Sequence, residues 1–197
     1  MLTSRRYTGG VTTAPIRTRR EQILDTAATL FAERGFHGVS VHDIGSACGI
    51  SGPALYKHFA GKDDVLTQSL ISISQRLLAE GQARVEAGGE PDEVLEALIA
   101  WHIDFALGHP ALIVIQEREW ANLGAEGRQE VRALQLDYID IWVDAVGRLR
   151  DDLDAAETRA VVQATFGLLN STPHSARLGE TVMRTRLARM ARAALLA

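Results

Sequence analysis

The sequence predicts an all-α protein of about nine helices: three short ones carrying a helix-turn-helix, then a larger helical domain. Three observations predict it. From Arg19 onward apolar residues recur at spacings of three and four, as on a helix with one buried face, and no segment alternates as a strand does. Serine or aspartate with an acidic residue three positions on, and glycines at the far ends, mark where that pattern starts and stops. No apolar run approaches the roughly 18 residues of a membrane span, so the apolar faces must cover one another.

Residues 1–18 are polar, contain Gly9, Gly10 and Pro15, and show no helical period, which predicts a disordered basic arm. Ile23, Leu24, Ala27, Leu30 and Phe31 then form one face of a first helix that Gly35 stops. Ser40 caps the second, with Asp43 in place of the usual Glu or Gln of a capping box, and Gly49 ends it after about two turns. Ser51 caps the third, predicted over 51–60; Gly52 and Pro53 occupy its first turn, where a missing N–H costs little. Long helices follow over about 63–87 and from Pro91 to "GHP", the latter with Val94, Leu98, Trp101 and Phe105 on one stripe. The next covers "ALIVIQEREWANL" and another runs from about Glu126 to Arg150. Asp154 with Glu157 opens a helix that ends near Asn170, and the last covers about 180–196. The resulting division is an arm at 1–18, a helix-turn-helix domain at 19–66 and a second helical domain at 67–197.

The net charge of −4 is unevenly spread: residues 1–62 carry eight Lys+Arg against four Asp+Glu, and residues 63–197 carry thirteen against twenty-one. Both lysines of the chain, Lys57 and Lys62, close the basic part. A basic segment on an acidic body suits one end that meets a polyanion, although a solvated charged face has the same composition. The N-terminus lacks the apolar core of a secretory signal, and Cys48 is the one cysteine, so the expected address is a reducing cytoplasm with no membrane attachment.

Helix, glycine-containing turn, helix is the arrangement whose second helix enters a DNA major groove. In that helix Leu55 and Phe59 turn inward, while Pro53 and Lys57 face out with Gly52 and Tyr56 on one flank and His58 on the other. Lys57 and Lys62 suit phosphates by charge, Tyr56 and His58 by O–H and N–H donors, and Ser40 and Ser51 by the helix N-termini they begin. Base reading falls to Gly52 and Pro53, by shape and thymine-methyl contact, and to Lys57 at guanine. A purely structural use of Tyr56 and His58, bracing the three-helix packing, is the competing reading.

The run "ILDTAATLFAERGFHGVSVHDIGSACGISGPALYKHFAGKDDVL", residues 23–66, resembles the DNA-binding domain of TetR-family transcriptional regulators. The likeness lies in "LFAERGF", "SVHDIG" and "GIS…LYKHF..K", in fixed order. It implies DNA contacts at Ser40, Ser51, Gly52, Pro53, Tyr56, Lys57, His58 and Lys62. Two departures stand out: Gly45 and Cys48 replace small alanines, and a glycine in a helix interior costs up to about 1 kcal/mol. The resemblance further implies a ligand-sensing helical domain and a homodimer joined through the last two helices. Val161, Val162, Thr165, Leu168 and Leu169, with Val182, Met183, Leu187, Met190 and Leu195, offer faces for that contact or for the subunit's own core.

The expected function is a ligand-responsive repressor that binds a near-palindromic operator as a homodimer and is released by a small effector. The alternative is an architectural DNA-binding protein of the same fold with no effector. Pocket candidates are Trp101, Phe105, Tyr138 and Trp142, for which plain core is the competing role, and the polar Arg118 and Asn170; His102, Gln116, Glu117 and His174 lie beside them. Arg118 suggests an apolar ligand with an acidic group, acyl-CoA first among them. No histidine pair has metal-motif spacing, and the glycines around "GPALYKHFAGK" are too far apart for a phosphate loop. Neither enzymatic activity, metal nor cofactor is expected.

Overall fold

The computed structural model describes residues 18–197, and the expected N-terminal arm lies outside them except for Thr18. Ten α-helices follow in order, with no strand among the described residues. They are α1 (Arg19–Arg34), α2 (Val41–Ala47), α3 (Gly52–Leu55), α4 (Lys62–Glu86) and α5 (Pro91–Gly108). Then come α6 (Pro110–Arg118), a 3-10 turn (Trp120–Asn122), α7 (Ala125–Gly147), α8 (Ala155–Asn170), α9 (Thr172–Ser175) and α10 (Glu180–Leu196).

Helix starts follow the sequence chemistry closely. Ser40 and Asp43 form a reciprocal box at α2, as do Asp154 and Glu157 at α8. Thr18, expected in the arm, forms one with Glu21 and so begins α1. Gly35 ends α1 at φ 73°, the left-handed region that favours glycine. Four expectations change. The helix expected over "ALIVIQEREWANL" ends at Arg118 and gives way to the 3-10 turn at Trp120–Asn122. The third helix is a single turn, because the N–H groups of Lys57 and His58 bond the carbonyls three residues back, at 3.3 and 2.9 Å. Beyond that turn only Phe59 is buried, so a longer helix would gain little. "TPHS" forms the short α9, and α7 stops at Gly147. Gly45 is also no weak point: a Cβ there would lie 2.9 Å from the Ile50 carbonyl oxygen, so the turn closes tightly on α2 only because the side chain is missing.

Two apolar clusters organise the packing. The first joins α1–α3 (Ile23, Phe31, Ile44, Leu55, Phe59) to the start of α4 (Val65, Leu66, Leu70) and reaches Phe105, Ile113 and Ile115 on α5 and α6. The second is built by α5, α7, α8 and α10 around Leu98, Ile103, Trp142, Val162 and Leu187. The helix-turn-helix head is therefore continuous in its core with α6. Gly81 on α4 lets α7 approach: a Cβ there would meet the Tyr138 ring at 2.8 Å. Among the described residues no single helix is long and apolar enough to cross a membrane.

Candidate nucleic-acid interface and regulatory core

The head presents a small, polar outer surface. Leu55 (0% exposed) and Phe59 (2%) anchor it, while Tyr56, at 58%, stands out with Lys57 and His58 exposed beside it. Ser51 Oγ accepts the Ala54 N–H at 3.3 Å, and nothing lies within 4 Å of where a Gly52 Cβ would be. Behind this surface Arg19 donates to the Cys48 carbonyl at 2.5 Å, and Arg20 lies over the Phe59 ring while donating to Gln68 Oε1 at 2.7 Å. Cys48 is thus half-buried at a helix end held from outside. Ser40 is exposed, and its N–H and Oγ both bond Asp43 Oδ2, at 2.8 and 2.5 Å. Those two bonds, side chain first, hold the Asp43 carboxyl below its ordinary range.

Lys62 sits differently from Lys57. It is half-buried, donates to the Phe36 carbonyl at 2.8 Å, and places its ammonium 4.2 Å from the Phe36 ring centroid. Its first partner is the α1–α2 corner, not open solvent.

The second domain is centred on His102, 2% exposed on α5. Its Nε2–H donates to Asn170 Oδ1 at 3.1 Å, which leaves Nδ1 to accept the Tyr138 hydroxyl at 3.3 Å. The imidazole stacks on Phe166 at 4.7 Å and 4°, while Trp142 and Phe105 meet it edge-on at 5.9 and 5.7 Å. Burial pushes His102 down to about 4, partly opposed by the Asn170 bond, so the ring is neutral at pH 7. Burial likewise pushes the Tyr138 phenol up, eased by Trp142 and the charge of Arg84. Trp142 Nε1, close as it is to Tyr138, makes no hydrogen bond of ordinary geometry; Trp101 Nε1 and Gln135 Nε2 are also buried without a partner. Beyond this core a cleft of about 190 Å³ opens between α4, α5 and α7, floored by Val85, Val94, Ile141 and Ala145 and rimmed by Glu86, Asp144 and Arg148.

Comparison with known proteins agrees with this architecture. The sequence pattern of bacterial regulatory proteins of the tetR family matches residues 23–68, and that of the tetracyclin repressor-like C-terminal domain matches residues 88–174. The transcriptional repressor KstR2 of Mycobacterium tuberculosis H37Rv is 30% identical over 146 residues, 71% of this chain and 73% of its own. The chain belongs to the TetR family.

Solved structures of transcriptional regulators and of AibR superpose along most of it. The ketosteroid transcriptional regulator KstR2 of M. tuberculosis gives a TM-score of 0.75 at 24% identity, covering 92% of this chain and 94% of that one. AibR, solved with isovaleryl coenzyme A and operator DNA, gives 0.70 at 23%, covering 88% and 97%. FadR of Bacillus subtilis, solved with stearoyl-CoA, gives 0.69 at 18%, covering 86% and 96%. In this TetR-family chain the structure gathers Phe105, Tyr138, Trp142 and Asn170 about His102, together with Phe166, which falls on the same aromatic set in the sequence. It leaves two pocket candidates outside. Trp101 faces α4, between the guanidinium groups of Arg76 and Arg84. Arg118 is exposed and donates to the Ala32 carbonyl at 3.1 Å, so the acidic group inferred from it has no partner in the core. Glu119, buried at 6% exposure beside Arg118, was not singled out by the sequence. It ends a helix without a cap motif, and nothing in its spacing marks it.

Proposed function

We propose that the protein is a ligand-responsive transcriptional repressor that binds a near-palindromic operator as a homodimer and is released by a small amphipathic effector. The observation that carries the DNA-binding part is the exposed Pro53–Tyr56–Lys57–His58 surface, held by two buried anchors on a TetR-family head. Lys57 and Tyr56 would grip phosphates, His58 and the N-terminus of α3 would assist, and Gly52 and Pro53 would meet base edges. Ser40 would donate to a phosphate only by sharing its hydroxyl with Asp43, and Lys62 only by reaching out from Phe36. Lys57→Ala should weaken binding by about 1 kcal/mol or more across sequences and flatten the salt slope by roughly one unit, read by anisotropy at several salt concentrations.

A dimer through α8 and α10 is supported by what those helices leave uncovered. Val162, Leu169, Met183, Leu187 and Leu195 are buried in the subunit's own core. Val182 and Met190 remain 48% and 51% exposed, and α8 carries an exposed row of Ala156, Ala160, Ala164 and Gly167. Ion pairs of Arg184 with Asp104 and of Arg192 with Asp92 and Glu96 hold the other side of α10 to α5. Replacing both Val182 and Met190 by Glu should convert dimer to monomer in sedimentation and weaken operator binding with it; an unchanged dimer would place the interface elsewhere.

The effector reading rests on the His102 core. It offers apolar rings, a neutral imidazole and a buried N–H donor on Trp142 with no acceptor, and an unmet donor costs about 1–3 kcal/mol. An acyl chain with a carbonyl acceptor, as in an acyl-CoA thioester, complements that set; AibR and FadR were solved with such ligands. The test is release of labelled operator by acyl-CoA thioesters of graded chain length, against free coenzyme A and free acids. Release by a subset supports the reading. No release and no rise in melting temperature with any of them would favour the effector-free alternative, for which the filled His102 core speaks.

A further inference from the structure

We infer that Glu119, with Arg118, is a positioning residue for operator binding: together they clamp the end of α1 and set the angle at which the helix-turn-helix head leaves the regulatory domain. The inference rests on the operator-binding reading above.

Phe36, in the corner between α1 and α2, has both backbone groups taken by distant side chains. Glu119 Oε1 accepts its N–H at 3.2 Å across a separation of 83 residues, and Lys62 Nζ donates to its carbonyl. The ring, 6% exposed, packs on Phe31 at 5.5 Å and lies under the Lys62 ammonium. One residue before Glu119, Arg118 Nη1 donates to the carbonyl of Ala32, one of the last-turn carbonyls of α1 that have no partner within the helix. A cation suits that helix end as well. Glu119 is held in turn, because Oε2 accepts from Asn122 Nδ2 at 2.7 Å. Two adjacent side chains at the end of α6 therefore grip the head by its backbone, and Lys62 at the start of α4 grips the same corner from the other connection.

Such a grip fixes direction where apolar packing alone is tolerant. A hydrogen bond weakens steeply when its angle opens, whereas apolar contacts slide at little cost. Glu117 near the end of α6 lies 3.7 Å from His174 on α9, a loose contact between exposed side chains, and α9 is tied to α5 by the Thr172 hydroxyl on the Ala106 carbonyl at 2.8 Å. Ala106 is four residues from His102 on the same helix. Movement of the aromatic core would thus reach the clamp by way of α9 and its side-chain contacts with α5 and α6. In a dimer the angle of each head decides which half-site spacing both can occupy at once.

The test uses the full-length protein and duplexes enriched from a random pool by its own binding. The enriched site, versions with one base pair added or removed between the half-sites, and a single half-site are measured by anisotropy. The native protein should prefer its enriched spacing by about tenfold or more. Glu119→Ala should reduce that preference to about threefold or less with half-site affinity unchanged, and Glu119→Gln, which keeps an acceptor for the Phe36 N–H, should retain most of it. Amide exchange at Phe36 should quicken in Glu119→Ala and much less in Glu119→Gln. If Glu119→Ala fails to fold, Arg118→Ala, which alters an exposed side chain, should still narrow the preference. An unchanged spacing profile in the variants would overturn the inference, as would a fall in half-site affinity parallel to a fall in melting temperature, which marks a merely structural role. Enrichment of no duplex at all would instead overturn the operator-binding reading, and this role with it.

Discussion

Leu55→Ala should abolish measurable operator binding, although Leu55 touches no DNA. The segment from Ser51 to Ala60 has only two buried side chains, Leu55 at 0% and Phe59 at 2% exposure. Its helix is four residues long, too short to stand by its own hydrogen bonds. What orients Tyr56, Lys57 and His58 is therefore the anchor between Ile44, Phe31 and the start of α4. Truncation of a fully buried leucine costs about 2–5 kcal/mol, and here the loss falls on the element that presents six of the eight proposed contacts, all but Ser40 and Lys62. Circular dichroism should show the other helices retained with a lower melting temperature, while anisotropy shows no specific binding. Native affinity in this variant would mean that the reading surface is oriented by something other than its core anchor.

Acidification should weaken the fold well before the carboxylates titrate, and His102 is the cause. Its folded value is about 4 against 6.5 for a free histidine, because burial disfavours the imidazolium. Between those two values the unfolded chain binds a proton that the folded one refuses. Stability is therefore intact above pH 6.5, falls as the pH drops toward 4, and loses in total on the order of 3 kcal/mol. Asp43 and Asp152, held below the carboxylate range chiefly by Ser40 and Arg150, lose their contributions only lower on the acid side. Urea unfolding between pH 7 and 4 should show the slope in the native protein, and His102→Gln should remove most of it. A slope that survives this substitution would place the acid-sensitive group elsewhere. Because Tyr138 donates to Nδ1 of the neutral ring, the same protonation would break that bond at the centre of the proposed effector core, while the Nε2–H bond to Asn170 would persist.

What the sequence made legible was local. Capping boxes at Ser40 and Asp154 and the stop at Gly35 involve residues within a few positions of one another, and spacing alone reveals them. The inward turn of Leu55 and Phe59, and the shared stripes of Phe105, Tyr138 and Trp142, follow from helical period. What escaped depends on partners far along the chain. The bond from Lys62 to the Phe36 carbonyl and that from Arg118 to the Ala32 carbonyl leave no mark on local spacing. Trp101 shares a helical stripe with Phe105, yet α4 supplies two guanidinium groups that draw its ring to the other side. Gly45 looks costly by propensity because the Ile50 carbonyl that needs the space comes from the following turn. The one-turn α3 departs from a plausible helix for a different reason: the polar residues after Leu55 gain nothing by continuing it.

The most direct measurement is anisotropy of the purified protein with a labelled duplex from its own upstream region, against a scrambled duplex of equal length, from low to high salt. A specific, phosphate-anchored regulator should bind the upstream duplex at least about a hundredfold more tightly near physiological salt, with affinity falling steeply as salt rises. Equal affinity for both duplexes at every salt concentration, with duplexes from a random pool behaving alike, would contradict sequence-specific operator binding by this head.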